Sequence, residues 1–235
     1  MSKVVKPPYW KKINFSHPLA RGLVGCWLFN EGIGNTVNDL SGNNNHGIVS
    51  GATWASGKHG SALLFNGATD YVKVTYSDSL GPRGIRFSIA CWIYPMGYGG
   101  AGYGRVVDMT GGDSDKNFMI IMSSIYPSQL RFYFRSGHQL LTLLQLNSWN
   151  MCVFTYDDVS ILGKAKVESY IHGVNYTYYL HNAGINPAEA DFYIGNNLGG
   201  ARGFDGYISD IRFYNCILSA EEVAWLYREP YAMFA

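Results

Sequence analysis

Hydrophobic and polar residues alternate with a period of two in several short segments of the chain. The clearest segment is residues 204–214, where Ile211 and Phe213 alternate with Asp210 and Arg212. A period of two is that of a β-strand, whose successive side chains point to opposite faces. The segment therefore predicts a strand on which Asp210 and Arg212 share one face, within reach of each other.

A short helix is predicted directly after this strand, at residues 219–227. The Ser219 hydroxyl can accept a hydrogen bond from the amide of Glu222, and the Glu222 carboxylate can accept one from the amide of Ser219. Such a capping box fixes the start of a helix, and Pro230 limits its end. We expect a helix of about two turns.

Further segments with strand character recur along the chain, separated by turns rich in Gly and Asn. They are Leu23–Phe29, Leu63–Phe65, Tyr71–Val74, Phe87–Tyr94, Phe118–Met122, Leu130–Phe134, Leu140–Leu146, Trp149–Tyr156, Val167–Ile171 and Phe192–Gly195. The short polar turn between the second and third of these segments predicts a hairpin. About a dozen short strands with Gly-rich turns indicate an all-β protein, a two-sheet antiparallel β-sandwich with one short C-terminal helix.

Five motifs occur in an order that is typical of one known domain family. They are Gly22–Gly32, Asp39–Gly47, Gly60–Gly67, Trp149–Asp157 with Tyr170–Gly173, and the closing FDGYISDIRFYNCILSAEEVAWLY. Together they resemble the laminin-G-like family of concanavalin A-like jelly rolls, although His172 stands where the family has Asp. The resemblance implies a jelly-roll domain over residues 21–230, between an N-terminal arm (1–20) and a C-terminal tail (231–235). It leaves function open, because this fold carries lectins, adhesion modules, enzymes and virion parts alike.

Composition and charge exclude some partners. The 235 residues are 47% hydrophobic, which is enough for a sizeable core, and 18 basic against 17 acidic residues leave a net charge of +1. Neither nucleic acid nor a membrane is therefore an expected partner. The four cysteines (Cys26, Cys91, Cys152 and Cys216) show no C-x-x-C spacing and are predicted to be free, mostly buried thiols.

The N-terminal residues predict no secretion signal and leave two interpretations of the arm open. The sequence MSKVVKPPYWKK lacks the apolar core of a signal peptide, so we expect synthesis in a reducing cytosol. Tyr9, Trp10 and Phe15 are spaced by prolines. Either the arm packs along its own sandwich, or these aromatic side chains dock on another subunit, since buried aromatics dominate interface energetics.

Asp210 is the strongest candidate for a metal ligand. The segment Ser209–Tyr214 resembles the closing strand of laminarinase-type relatives, where an Asp and main-chain carbonyls bind a structural calcium ion. The resemblance implies such a Ca²⁺ site if Glu31 and the chain near Asn43 converge on Asp210, because calcium takes six to eight oxygen ligands. The alternative is an exposed pair of Asp210 and Arg212, which adds little to stability.

A second oxygen-rich turn begins like a calcium loop. Asp113, Asp115 and Asn117 give the pattern D-x-D-x-N, but Phe118 stands where an EF-hand needs Gly and Ser124 where it needs Glu. A structural turn is the preferred interpretation there.

Loops rich in Tyr, Asn and Gly supply the candidate carbohydrate-binding residues. Tyr98 and Tyr103 are the large aromatic side chains of a Gly-rich loop, and tyrosine rings in loops stack on sugars. Asn196, Asn197 and Arg202 lie in a second loop and offer hydrogen bonds.

No motif for catalysis is present in the sequence. The family's glucanases carry E-x-D-x-E on one strand, and Glu189-Ala190-Asp191 lacks the second Glu. The first hypothesis is a non-catalytic lectin-like module, displayed on a particle or cell surface and binding a glycan. The alternative is a bacteriophage virion protein, a capsid decoration or fibre-type subunit that forms a homo-oligomer and docks on capsid or tail proteins. The third is a glycan-active enzyme with a dispersed site.

Overall fold

Sixteen strands and one α-helix make up the part of the chain that the structure describes. This computed structural model describes residues 4–81, 86–114, 116–124, 129–134, 138–160, 164–181, 185 and 187–234. The strands are β1 (Leu23–Trp27), β2 (Thr36–Val37), β3 (Gly47–Ser50), β4 (Thr53–Ser56), β5 (Ser61–Asn66), β6 (Tyr71–Val74), β7 (Arg86–Pro95), β8 (Arg105–Asp108), β9 (Phe118–Ser123), β10 (Gln129–Phe134), β11 (His138–Leu143), β12 (Asn150–Ser160), β13 (Lys164–Ile171), β14 (Val174–His181), β15 (Phe192–Ile194) and β16 (Asp205–Tyr214). The helix α1 spans Ala220–Arg228, and short 3₁₀ turns lie at Pro18–Ala20 and Gly100–Gly102.

The strands form two antiparallel sheets. The first sheet has the order β14-β13-β12-β7-β16-β5-β4, and β1 pairs with the C-terminal half of β16. The second sheet has the order β11-β10-β9-β8-β15-β6-β3-β2. This architecture confirms the predicted β-sandwich, with β7 as a central strand between β12 and β16.

Aromatic rings from both sheets fill the space between them. Phe87 of the first sheet stacks on Phe118 of the second, with ring centroids 4.8 Å apart, and Phe118 stacks in turn on Phe132. Trp27 and Phe192 stack across the sandwich in the same way at 5.4 Å. These rings are almost fully buried, so the hydrophobic effect joins the two sheets into one core.

A second, smaller core covers the outer face of the first sheet. It is formed by the N-terminal arm, α1 and the C-terminal tail against side chains of β7 and β12. Ile13 of the arm pairs with Phe234 of the tail as an isolated bridge, and the Asn14 amide donates to the Met233 carbonyl at 2.8 Å. The arm therefore packs along its own sandwich, which was one of the two interpretations of its sequence.

The predicted hairpin around Asn66 is wrong. β5 belongs to the first sheet, where it pairs with β4 and β16, whereas β6 belongs to the second sheet and pairs with β3 and β15. The Asn66 carboxamide oxygen accepts hydrogen bonds from the amides of Ala68 and Thr69. These bonds hold a connection that crosses from one sheet to the other, and no local sequence signal distinguishes such a connection from a hairpin.

Helix α1 begins as its sequence predicts. The Ser219 amide donates to the Glu222 carboxylate at 2.8 Å, and the Glu222 amide donates to the Ser219 hydroxyl at 3.2 Å. Arg21 forms an ion pair with the same carboxylate at 3.1 Å and ties the start of the helix to the chain directly after the arm. Within the described residues, no helix has the length and hydrophobicity needed to cross a membrane.

The cysteines are free thiols, as predicted. Cys26, Cys91 and Cys152 are buried, and Cys216 is half-buried. Burial raises the pKa of the Cys26 thiol to about 12, so this group is a poor nucleophile near neutral pH.

The packing of the arm predicts the effect of one substitution. Ile13 is buried, and we expect Ile13→Ala to lower the free energy of unfolding by about 2–5 kcal/mol, because it removes apolar contacts and leaves a cavity. Denaturant unfolding of the full chain measures this. Ile33→Ala is the matched control, because Ile33 is 81% exposed. Equal stability of the two variants would show that the arm is free.

Candidate functional site

A cleft of about 370 Å³ lies on the outer face of the second sheet. This volume is in the range of small-molecule binding sites. Side chains of β8, β9 and β10 line the cleft, together with three loops: two rim loops that carry Tyr103 and Arg202, and a third loop that carries Ser114. The lining residues are Tyr103, Arg105, Ser114, Met119, Ile121, Arg131, Tyr133 and Arg202.

The floor of the cleft follows from strand alternation. In β10, Leu130, Phe132 and Phe134 point into the core, so Arg131 and Tyr133 point outward. The strand register places Arg131 opposite Ile121 of β9 and Tyr133 opposite Met119. Directly opposed residues share a face, so these four side chains form one patch.

Glycine allows the two rim loops to approach each other closely. The Gly100 amide donates to the Gly203 carbonyl at 2.8 Å, and the Arg105 amide donates to the Arg202 carbonyl at the same distance. Gly99 has φ +71°, and a Cβ atom there would lie 2.1 Å from the Gly203 oxygen, so a larger residue would separate the loops.

This contact between the loops brings Tyr103 and Arg202 together. The Arg202 guanidinium lies over the Tyr103 ring, 5.4 Å from its centroid, in the geometry of a cation–π interaction. An aromatic face and a guanidinium group are thus held next to each other at the rim of the cleft.

Arg105 is fixed in the wall of the cleft by an ion pair. Its Nε atom donates to Asp108 Oδ2 at 3.0 Å, and one terminal nitrogen donates to the Tyr103 carbonyl at 3.1 Å. Thr110 donates to the other Asp108 oxygen from both its amide and its hydroxyl. Burial lowers the pKa of Arg105 and the Asp108 carboxylate raises it, so the net shift is downward.

Among the predicted carbohydrate-binding residues, the structure brings Tyr103 and Arg202 into one site. Tyr98 is half-buried and packs against the main core. The buried Asn196 donates to the Ala68 and Asp70 carbonyls and accepts from the Arg202 amide at 2.9 Å. Asn197 Oδ1 accepts from the Ala201 amide at 3.2 Å. The two asparagines therefore shape the loop that carries Arg202.

Six cleft residues were not among the sequence candidates: Arg105, Ser114, Met119, Ile121, Arg131 and Tyr133. A signal for two of them was present, because Arg131 and Tyr133 alternate with apolar residues inside a predicted strand. Their place in a cleft follows only from the position of the loops around this face of the sheet.

The structure gives the predicted calcium ligands partners within the protein. Asp210 is buried, and its Oδ2 atom accepts from the Tyr231 hydroxyl at 3.2 Å and lies 3.8 Å from an Arg212 terminal nitrogen. Glu31 Oε1 accepts from the amide and side chain of Asn38. Within the described ranges, no three His, Cys, Asp or Glu side chains gather as metal ligands would. The alternative of an exposed pair is wrong, because Asp210 and Arg212 are both almost fully buried.

Asn43 and the second oxygen-rich turn have structural partners of their own. The Asn43 side chain donates to the Val24 carbonyl and to the Ser41 hydroxyl. The buried Asn117 donates to the carbonyls of Met109 and Ala188. Asp115 lies outside the described residues.

The candidate docking residues are exposed although the arm is packed. Trp10 is 70% exposed, Phe15 58% and Tyr9 48%. With Lys11 and Lys12 they border a second cleft, of about 420 Å³.

Solved structures with the same fold include binding domains of toxins and one domain of an enzyme. The binding domain of Paraclostridial Mosquitocidal Protein 1 has 18% identity and a TM-score of 0.69, over 91% of this chain and 53% of that one. Domain 4 of AbnA, a GH43 extracellular arabinanase from Geobacillus stearothermophilus, in complex with arabinotriose, has 19% identity and a TM-score of 0.65, over 87% and 97%. The binding domain of Botulinum Neurotoxin DC in complex with SialylT has 13% identity and a TM-score of 0.61, over 89% and 52%.

These similarities show the fold alone, because every identity is low. The chain spans about half the length of the two toxin binding domains. No curated protein matches the sequence.

A match between the sequence and a family model shows the family of the chain. The family model described as the concanavalin A-like lectin/glucanases superfamily matches residues 66–224, which is more than half of the chain. Its match ends within α1 and includes both rim loops of the cleft. The chain therefore belongs to the concanavalin A-like lectin/glucanase superfamily.

Proposed function

We propose that the protein is a non-catalytic, lectin-like module that binds a glycan in the cleft on the second sheet. The observation that carries this proposal is the pairing of Tyr103 with Arg202 at the rim of that cleft. The cleft also lies on the sheet face that the arm, α1 and the tail leave uncovered.

The chemistry of the lining suits a sugar. A pyranose or furanose ring has an apolar C–H face that packs on tyrosine, and its hydroxyl groups accept hydrogen bonds from guanidinium groups. A carboxylate on an acidic sugar would take a bidentate bond from Arg202. The arabinanase domain and the botulinum binding domain, which share the fold, were solved with arabinotriose and SialylT respectively, and this supports a glycan as the ligand class.

The cleft lining also favours binding over hydrolysis. Among the described residues the lining consists of tyrosine, arginine, serine, methionine and isoleucine. Most glycoside hydrolases use two carboxyl groups that flank the scissile bond. The hydrogen-bond donors and aromatic rings of this lining are the groups that a sugar-binding site uses.

Substitutions at the rim test the proposal. The full chain is first screened on a glycan array, and the affinity of Tyr103→Ala and Arg202→Met for the strongest glycan is then measured by calorimetry. We expect a loss of roughly ten- to a hundredfold for each, because each removes a stacking face or a charged donor.

Two exposed side chains outside the cleft provide matched controls. Tyr9→Ala and Arg228→Met should bind like the wild type, because Tyr9 lies on the arm and Arg228 in the last turn of α1. Wild-type affinity of both rim variants, in proteins that melt normally, would place the glycan elsewhere or remove the proposal.

A second candidate function is that of a particle subunit, such as a bacteriophage decoration or fibre-type protein. The exposure of Tyr9, Trp10 and Phe15 favours it, because large aromatic side chains on a packed segment are typical of an interface. On this proposal the chain is made in the cytosol, assembles into a homo-oligomer, and is displayed on the virion surface through contacts with capsid or tail proteins.

Self-association of the purified protein tests this second function. We expect the wild type to sediment as an oligomer and Trp10→Ser to sediment as a monomer, because the substitution removes the largest exposed ring of the arm. Ile33→Ser changes another exposed apolar residue and should leave the oligomer intact. A wild type that stays monomeric at all concentrations would contradict the proposed homo-oligomer. Substitution is preferable to deletion of the arm, since Ile13 and Leu19 belong to the core.

A further inference from the structure

Lys6, at the start of the N-terminal arm, is buried in a cage of main-chain oxygens. Its Nζ atom donates to the carbonyls of Leu28, Ser61 and Ser209, each at 2.5 Å. These carbonyls come from the chain just after β1, from β5 and from β16. An ammonium group has three donors, so the cage satisfies all of them.

Two acidic residues act on this ammonium group. Burial lowers the pKa of the Lys6 amine to about 7, while the charges of Asp210 and Glu31 raise it and that of Arg212 lowers it. The three carbonyl acceptors favour the protonated amine, because a neutral amine has only two hydrogens to donate.

The cage has the chemistry of a site for a hard cation. Such sites combine carbonyl and carboxylate oxygens, and Ca²⁺–oxygen distances are about 2.3–2.6 Å. The oxygens around Lys6 Nζ lie at a similar distance. Asp210, which the sequence proposes as a calcium ligand, is on the strand that supplies the Ser209 carbonyl.

We propose that Lys6 is a built-in substitute for a metal ion. Its ammonium group occupies the carbonyl cage beside Asp210, so the sandwich needs no metal ion there. The same ammonium group fastens the arm to the domain.

The surrounding contacts show how this cation fastens the arm. The Lys6 amide donates to the His59 carbonyl at 2.9 Å, and the Pro7 carbonyl accepts from Asn30 Nδ2 at 2.7 Å. The stem of Lys6 runs past Gly60, where an added Cβ would lie 3.4 Å from two of its carbons. Main-chain bonds of Lys6 and Pro7 to residues 59 and 30 thus hold this part of the arm in addition to the bonds of the ammonium group.

Melting temperatures with and without metal test the proposal. The wild type should melt at the same temperature in CaCl₂ and in EGTA. Lys6→Met keeps the stem and removes the charge, and we expect it to melt roughly 5 °C lower or more, because three buried carbonyls lose their donor. Lys12→Met changes an exposed lysine of the same arm and should melt like the wild type. A wild type destabilised by EGTA, or a Lys6→Met protein as stable as the wild type, would overturn the proposal.

A cage from which the Lys6 side chain has been removed should bind a metal ion. Lys6→Ala removes the stem as well as the charge, and CaCl₂ should raise its melting temperature while leaving that of Lys12→Ala unchanged. A folded Lys6→Ala protein that responds to none of CaCl₂, MgCl₂ and KCl would overturn the assignment of the cage as a cation site.

Chemical labelling of the unmodified protein tests the burial of Lys6 without relying on any variant to fold. Brief acetylation of the native wild type, followed by peptide mass spectrometry, should label Lys11 and Lys12 at least tenfold more than Lys6. Equal labelling of the three lysines would show that Lys6 does not occupy the cage.

Discussion

The structure depends on the need to cover the outer face of its first sheet. The central strands of this sheet are apolar on both sides: Ile89 and Cys91 of β7 face the main core, whereas Ala90 and Trp92 face outward. An apolar face of this kind is stable only when it is shielded from water. The arm, α1 and the tail provide the shield, so the described residues of the arm and the tail are parts of the fold. The outer face of the second sheet lies outside this cover, and the candidate cleft is there, with Met119, Ile121 and Arg131 buried at its floor.

Covering this face also buries charged side chains. The groups that compensate these charges determine the positions of the arm and the tail. Asp210 and Arg212 lie beneath the cover, with the Arg212 guanidinium 5.5 Å from the centre of the Tyr231 ring. The Tyr231 hydroxyl, on the tail, donates a hydrogen bond to Asp210. Lys6, on the arm, is a second buried cation near this carboxylate. Burying an ion without a partner costs several kcal/mol, so an arm or tail in a different register would leave a charge uncompensated. The polar cluster therefore fixes the position of both ends of the chain.

The two proposed functions use different faces of one sandwich. The glycan cleft lies on the second sheet, and the exposed aromatics belong to the arm that covers the first. If the protein docks on a larger assembly through the arm, the cleft remains free for a ligand. The two functions are thus compatible: one surface would attach the domain, and the other would recognise a sugar.

Local patterns determined much of this protein. Alternation predicted β7, β10 and β16, and the Ser219 capping box predicted the start of α1, because these features depend on neighbours in sequence. Loop composition also pointed to Tyr103 and Arg202. The tertiary structure decided what surrounds each face, and therefore that Arg131 and Tyr133 line a cleft while the Asp210–Arg212 pair lies beneath the arm and the tail. It also placed β5 and β6 in different sheets. The physical reason is that burial depends on contacts between residues far apart in sequence, such as Lys6 with Ser209, which no local pattern encodes.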